Sequence, residues 1–275
     1  MGCGQVSPIP PDDPAEPLPT IEIGSDGTAA SDLLAALYVA ALQASDDPAV
    51  TTEVVAGTET LALGDNSPMA MPAFAGTLLQ EFSNQPLPAE PAETIAYLAT
   101  EVAPEVGVLE TSWVDGGLVW AATPDSGLAS LSDLAVLPQV VAAVPSFAVD
   151  SSVGVPVLQA AYNAKATAEQ LDDPAERAAA LADGSATIAA FRRTESIDLE
   201  GLVELEDPVG VGVPDPLVVV VSAEFADQRP DAVLVLDAVQ QALTNDSFAE
   251  LTAAAAADGL DTAIAAWLGD HGLAG

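Results

Sequence analysis

Positive charge is what this chain lacks most. Its basic residues are Lys165, Arg177, Arg192, Arg193 and Arg229, against 42 acidic ones, for a net charge of −37. Nucleic acid and anionic membrane surfaces are thereby poor partners, because phosphate recognition needs a basic footprint. One cysteine, Cys3, excludes an internal disulfide framework and any multi-cysteine metal site, and one histidine, His271, excludes a His-rich one. Aromatic residues make up only 4% of the chain, so each aromatic side chain carries weight in the reading that follows. No apolar run reaches the ~20 residues needed to span a bilayer. The opening MGCG has neither the basic start nor the apolar segment of a complete signal peptide. There is no G-x-S-x-G elbow, no Walker A loop, no H-E-x-x-H helix and no EF-hand pattern. A Ser or Cys nucleophile would lack its usual base, since His271 lies in the terminal GDHGL. Neither an enzyme nor a cofactor is expected.

What is there is length and aliphatic content. The chain has 275 residues, half of them hydrophobic, enough for one large or two medium domains. Two readings of the acidity stand side by side: a solvated, aggregation-resistant secreted surface, or adaptation to salt. Gly4–Pro19 is GQVSPIPPDDPAEPLP, a Pro-rich acidic segment that cannot bury apolar surface and is expected to be an extended tether. Cys3 before it is either an incidental residue or the tail of a bacterial lipobox, whose cysteine carries a lipid. The N-myristoylation pattern fails, because position 6 is Val.

The folded part begins near Thr20. TIEIGS is a short strand, and Ser31 or Asp32 is expected to cap the helix DLLAALYVAALQAS, whose Leu33, Leu34, Leu37, Tyr38, Ala41 and Leu42 recur at helical spacing. VTTEVVAG is a second strand ending at Gly57-Thr58, followed by the helical or irregular TETLALG. A third unit, MAMPAFAGTLLQEF (Met69–Phe82), hands a buried strand over to a helix through Phe74, Gly76 and Thr77. Strand, glycine with a nearby hydroxyl, then helix, three times over, means a parallel sheet with crossover helices. Ligands bind at the carboxyl ends of such strands, where free amide groups point into the crevice. Further on come a helix at Ala92–Ala103, a strand at Gly107–Thr111, and Ser112-Trp113-Val114-Asp115-Gly116-Gly117, whose glycine pair suits a crossing between lobes. LVVVVS from Leu217 is a fully apolar strand, and the helix PDAVLVLDAVQQAL starts at Pro230 as proline prefers.

These segments carry a resemblance. Met71-Pro72-Ala73-Phe74-Ala75-Gly76-Thr77 is similar to the Y-P-E-Y-T-G-T segment of the glycine betaine/choline/proline-betaine substrate-binding proteins of ABC importers, with both tyrosines and the glutamate replaced. Gly127–Ala135, GLASLSDLA, is similar to that family's G-L-K-T-I-S-D-L-A, with Ser132 as a helix cap. Similar correspondences run through VVAAVPSF, VPVLQAAYN, AALADGSATIAAF, VELEDP and DTAIAAWLGDHGL, so the likeness spans about Ile21 to Leu273. It implies an α/β, two-lobed, periplasmic-binding-protein-like fold of type II. Two mixed, mostly parallel sheets would be flanked by helices, with two hinge crossings, near Ser112–Gly117 and Gly212–Pro216. The division implied is a tether at 1–19, one lobe at 20–115 with 215–275, and a second lobe at 116–214.

The resemblance also implies a function: extracytoplasmic capture of a small osmoprotectant and delivery to a membrane permease, by a monomer touching the membrane only through a lipid on Cys3. Relatives hold quaternary ammonium groups in tyrosine boxes by cation–π attraction. Phe74 stands where the family has its second tyrosine, and Val213-Pro214-Asp215 where it has P-P-Y. Trp113 and Phe147 are near expected cleft turns, or are simple core. Ser25, Thr28, Gly57, Thr58, Thr77, Asp115 and Asp215 complete the candidate ligand contacts, although Ser25, Thr28, Thr58 and Thr77 could equally cap their own helices. Arg192, beside Arg193, could clamp a carboxylate bidentately, or the pair could neutralise acids such as Glu195 and Asp198. Two alternatives remain open: the same fold with a different polar or aromatic solute, and a non-transport sensor or partner-binding module.

Overall fold

The computed structural model describes residues 19–54, 63, 67–82, 87–109, 112–195 and 201–274. Cys3, the rest of the tether up to residue 18, Gly57, Thr58 and Asp198 lie outside them. A strand that is apolar on both faces needs cover on both, and Leu217–Ser222 sits in the interior of a sheet with all six residues buried. That sheet combines β1 (Ile21–Ser25), β2 (Ala49–Glu53), β3 (Ala70–Phe74), β4 (Val106–Val108) and β10 (Leu217–Ser222). The second is made of β5 (Leu118–Ala122), β6 (Val140–Val144), β7 (Ala166–Gln170), β8 (Ile188–Arg192) and β9 (Val203–Glu204). Strand orders are β2-β1-β3-β10-β4 and β7-β6-β8-β5-β9.

The parallel repeat expected from the first three strands holds where they pair: β1 is parallel to both β2 and β3. The central partner of β3 is β10, which runs antiparallel because it re-enters this sheet from the other lobe. The second sheet is built alike, with β6 parallel to β7 and β8, and β5 antiparallel to β8.

Period-two alternation divides each sheet between two cores. Leu217, Val219 and Val221 face α1 (Ala29–Ala44), α7 (Pro230–Ala242), α8 (Asn245–Asp258) and α9 (Leu260–Asp270). Val218 and Val220 face α2 (Ala75–Leu79) and α3 (Pro91–Val102). In the second lobe, Trp120, Val144 and Ile188 pack with α4 (Val155–Tyr162), and Phe191 and Val119 with α5 (Pro174–Asp183). A further helix, α6 (Ala223–Gln228), follows β10. Tyr38 is buried between α1 and α7, where its hydroxyl donates to Gln240 Oε1 at 2.7 Å. Burial holds that phenol far above its ordinary range.

Two caps differ from expectation. Helix α1 begins at Ala29 and is capped by Thr28, which was one of the two readings of that residue, and not by Ser31 or Asp32, because Thr28 is the residue left in an extended conformation. In GLASLSDLA, Ser130 rather than Ser132 is the cap, forming a capping box with Asp133 over the short turn Leu131–Val136. Among the described residues, no helix is long and apolar enough to cross a membrane.

Candidate functional site

The chain crosses between the sheets on either side of Gly116 and of Asp215, and the two crossings run side by side. Gly116 N donates to Asp215 O at 2.8 Å, and the Asp115 side chain accepts from both Gly117 N and Asp215 N at 2.8 Å. Asp115, expected to face a ligand, thus fastens the crossings to one another. The glycine pair was expected to ease a backbone adjustment. Closeness by itself requires glycine at both positions: a Cβ on Gly116 would overlap the Phe74 ring, and one on Gly117 would sit 2.8 Å from Val213 O. A second network shapes the approach to Asp215. Asp207 accepts from Gly210 N, Gly212 N and the Tyr162 hydroxyl, which in turn accepts from Val209 N. Burial opposes the Asp207 charge, but these donors hold its carboxyl below the usual range. Burial and the same hydrogen bond push Tyr162 up to about 12.

Strand β3 runs directly into α2, whose cap position is Phe74 and which has no side-chain cap of its own. Its amides were expected to be free for a ligand; instead Asp215 takes them. Asp215 Oδ1 accepts from Gly76 N at 2.6 Å and Thr77 N at 3.3 Å, and Oδ2 accepts from Thr77 Oγ1 at 2.6 Å. Gly76 is small enough to allow this, since a Cβ there would stand 2.9 Å from Asp215 Oδ1.

Facing this carboxylate is Arg192, the last residue of β8. Its guanidinium carbon lies 4.6 Å from the Phe74 ring centroid and 4.1 Å from that of Phe147, both within cation–π range. Its Nη1 pairs with Asp215 Oδ2 at 3.2 Å and donates to Gly116 O at 2.8 Å, while Nη2 donates to Thr77 Oγ1 at 2.7 Å. Both side chains are nearly buried, 12% exposed for Arg192 and 9% for Asp215. The backbone of Arg192 is fixed from behind. Its N–H donates to Glu195 Oε2, and Glu195 is held at 2.5 Å by Arg177, a fully buried arginine beside Phe191. Neither sequence reading of Arg192-Arg193 anticipated these partners: Glu195 is taken by Arg177, and Arg193 turns outward to Asp115 and Glu204. Across the cleft, Ser152 also donates to Gln80 Oε1 through both N–H and hydroxyl. The remaining cavity, walled by Arg192, Phe147, Asp215, Val153 and Leu87, is about 10 Å³, room for no more than about one water.

Five sequence candidates therefore meet here: Phe74, Thr77, Phe147, Arg192 and Asp215. Others do not join them. The side-chain hydrogen bonds of Ser25 and Thr28 stay within residues 25–32, where Ser25 meets Asp32 at 2.5 Å and Thr28 caps α1. Trp113 is 77% exposed beside the crossing, its backbone bridged to Thr244, so it is neither core nor cavity wall. Sequence reasoning missed the Gly116 carbonyl and the Arg177–Glu195 brace. Only the glycine pair hinted at the first, and nothing local marked the second.

A profile for the substrate binding domain of an ABC-type glycine betaine transport system matches residues 19–270. The chain belongs to that family. Members of this family are solute-binding proteins that work outside the cytoplasm with an ABC permease. The chain is also similar in fold to lactococcal OpuAC in complex with glycine betaine: 12% identity, TM-score 0.67, covering 93% of this chain and 97% of that one. The glycine betaine/L-proline-binding protein of Borrelia burgdorferi is 10% identical with a TM-score of 0.68, covering 93% and 95% respectively. For apo YehZ of Escherichia coli the figures are 18% and 0.66, with coverages of 92% and 99%. These neighbours are two-lobed, periplasmic-binding-protein-like receptors, and the two five-stranded sheets described above have that architecture. No curated protein sequence matches the chain.

Proposed function

We propose that this ABC-importer receptor takes a betaine-type quaternary amine between the Phe74 and Phe147 rings. One observation carries the reading: these two ring faces, with the Asp215 carboxylate beside them, hold an organic cation, the Arg192 guanidinium. Each such face attracts a cation by ~0.5–2 kcal/mol, and a quaternary ammonium, which has no N–H donors, depends on faces of this kind. Thr77 would contact the solute after Arg192 withdraws. The lobes would be 20–115 with 215–275 and 116–214, hinging at the paired crossings. The protein would act as a monomer, tethered by residues 1–19 and, through a lipid on Cys3, to the outer face of the membrane. A thermal-shift series tests the ligand. Glycine betaine, proline betaine, choline and carnitine at a hundred times their dissociation constant should each add ~2.7 kcal/mol of stability. The rise should vanish in Phe74→Ala.

The replaced tyrosines favour a second reading, in which the same fold takes a different polar or aromatic solute. A rise with an unrelated solute only would establish that one. No rise with any solute would point to a sensor or partner-binding module.

A further inference from the structure

We propose that Arg192 is a tethered cation standing in for the solute, and that it closes the cleft from within and sets which solutes can enter. The inference rests on the reading that solute binds between Phe74 and Phe147, and it adds that this position is already filled. Every contact that an aromatic cation site offers is made by one side chain of the protein itself: two ring faces, a counter-carboxylate, and a carbonyl and a hydroxyl for the guanidinium N–H groups. A guanidinium is flat and weakly hydrated, which suits it to lying between two rings.

The placement is also cross-lobe. Arg192 ends β8 in the second sheet, and its backbone is locked there by pairing with Leu118 and by Glu195. Phe74 and Thr77 belong to the β3–α2 junction of the first sheet. The counterion is pre-set as well: Asp215 is held by two amides and a hydroxyl of that junction before Arg192 arrives. Opening the lobes would pull a nearly buried guanidinium off two rings and away from its carboxylate. Closure is therefore favoured without solute. A free cation competes with a side chain whose tether gives it a high effective concentration, so apparent affinity falls by the fraction of molecules in which the seat is vacated. Only a solute that satisfies the seat better than a guanidinium would displace it.

The test uses the full chain and Arg192→Ala, with Arg192→Lys as a second variant that keeps charge but loses the planar fork. Circular dichroism confirms folding. Small-angle scattering without solute should show a compact wild type, a larger radius of gyration for Arg192→Ala, and an intermediate one for Arg192→Lys. Methylguanidinium at low millimolar concentration should then re-compact Arg192→Ala and raise its Tm, leaving wild type unmoved. Choline and glycine betaine should bind Arg192→Ala at least about tenfold more tightly than wild type. An Arg192→Ala protein as compact as wild type would overturn the proposal, as would equal methylguanidinium responses in the two. If Arg192→Ala does not fold, a radius for Arg192→Lys equal to that of wild type overturns it. If neither form binds a quaternary amine, the betaine reading fails, while scattering and methylguanidinium still decide whether Arg192 is the internal cation.

Discussion

Adjacent arginines here do opposite work, because successive side chains at a strand end point to opposite sides. Arg192 enters the cleft and Arg193 lies 44% exposed against Asp115 and Glu204. In the same small region Gly116 is a steric requirement of Phe74, whose ring leaves no room for a Cβ there. Gly116→Ala must push the ring or the crossing aside, and overpacking of this kind costs about 1–3 kcal/mol. Thermal denaturation should show that loss. Phe74→Leu in the same background should restore part of it, since the overlap is with ring atoms. A Gly116→Ala protein as stable as wild type would mean that the crossing relaxes freely.

At the scale of elements, the loop leading into the return crossing is tied to α4 through the Tyr162 hydroxyl, which meets the Asp207 carboxylate and the Val209 N–H. The depressed pKa of Asp207 means that its stabilisation is fully present above the ordinary carboxylate range and is lost as pH falls through the folded value. The Tyr162 hydroxyl, raised to about 12, acts from the other side: its contribution is complete below the ordinary tyrosine pKa of about 10 and is lost as pH rises through the folded value. The stability difference between wild type and Tyr162→Phe should therefore be greatest at neutral pH and shrink towards both extremes. A pH series of melting curves checks this; a flat difference would mean that the hydroxyl packs but does not bind. Since this crossing leads into Val213-Pro214-Asp215, the same variant should also loosen the counterion of Arg192.

The whole molecule carries a net charge of −37, and self-repulsion on that scale opposes compaction. Going from 0.01 to 1 M salt shortens the screening length from about 30 to about 3 Å, which removes most of that repulsion. The Tm should rise across this range. The Arg192–Asp215 contact, nearly buried, should be screened much less than exposed pairs such as Arg193–Glu204. A fall in Tm with salt would mean that ion pairs outweigh the repulsion. Salt response in scanning calorimetry thus separates the two scales of electrostatics in one protein.

Periodicity and turn residues, which are properties of short segments, made most strands and helices, the apolar centre of the first sheet and the two crossings legible in the sequence by itself, and the family was legible as a resemblance of motifs such as GLASLSDLA. LVVVVS reads as a fully apolar strand, and Phe74, Thr77, Phe147 and Arg192 lay near turns where a cleft was expected, with core for Phe147 and a helix cap for Thr77 as the other readings. Only the tertiary structure decided what those residues do. Arg192 meets Thr77 from 115 residues away, and Asp215 meets Gly76 from 139 away. No local pattern records such distances. That Arg177 rather than Arg193 holds Glu195, and that a carboxylate from the return crossing occupies the amides of α2, follow from how two independently packed sheets are brought face to face by their paired connections.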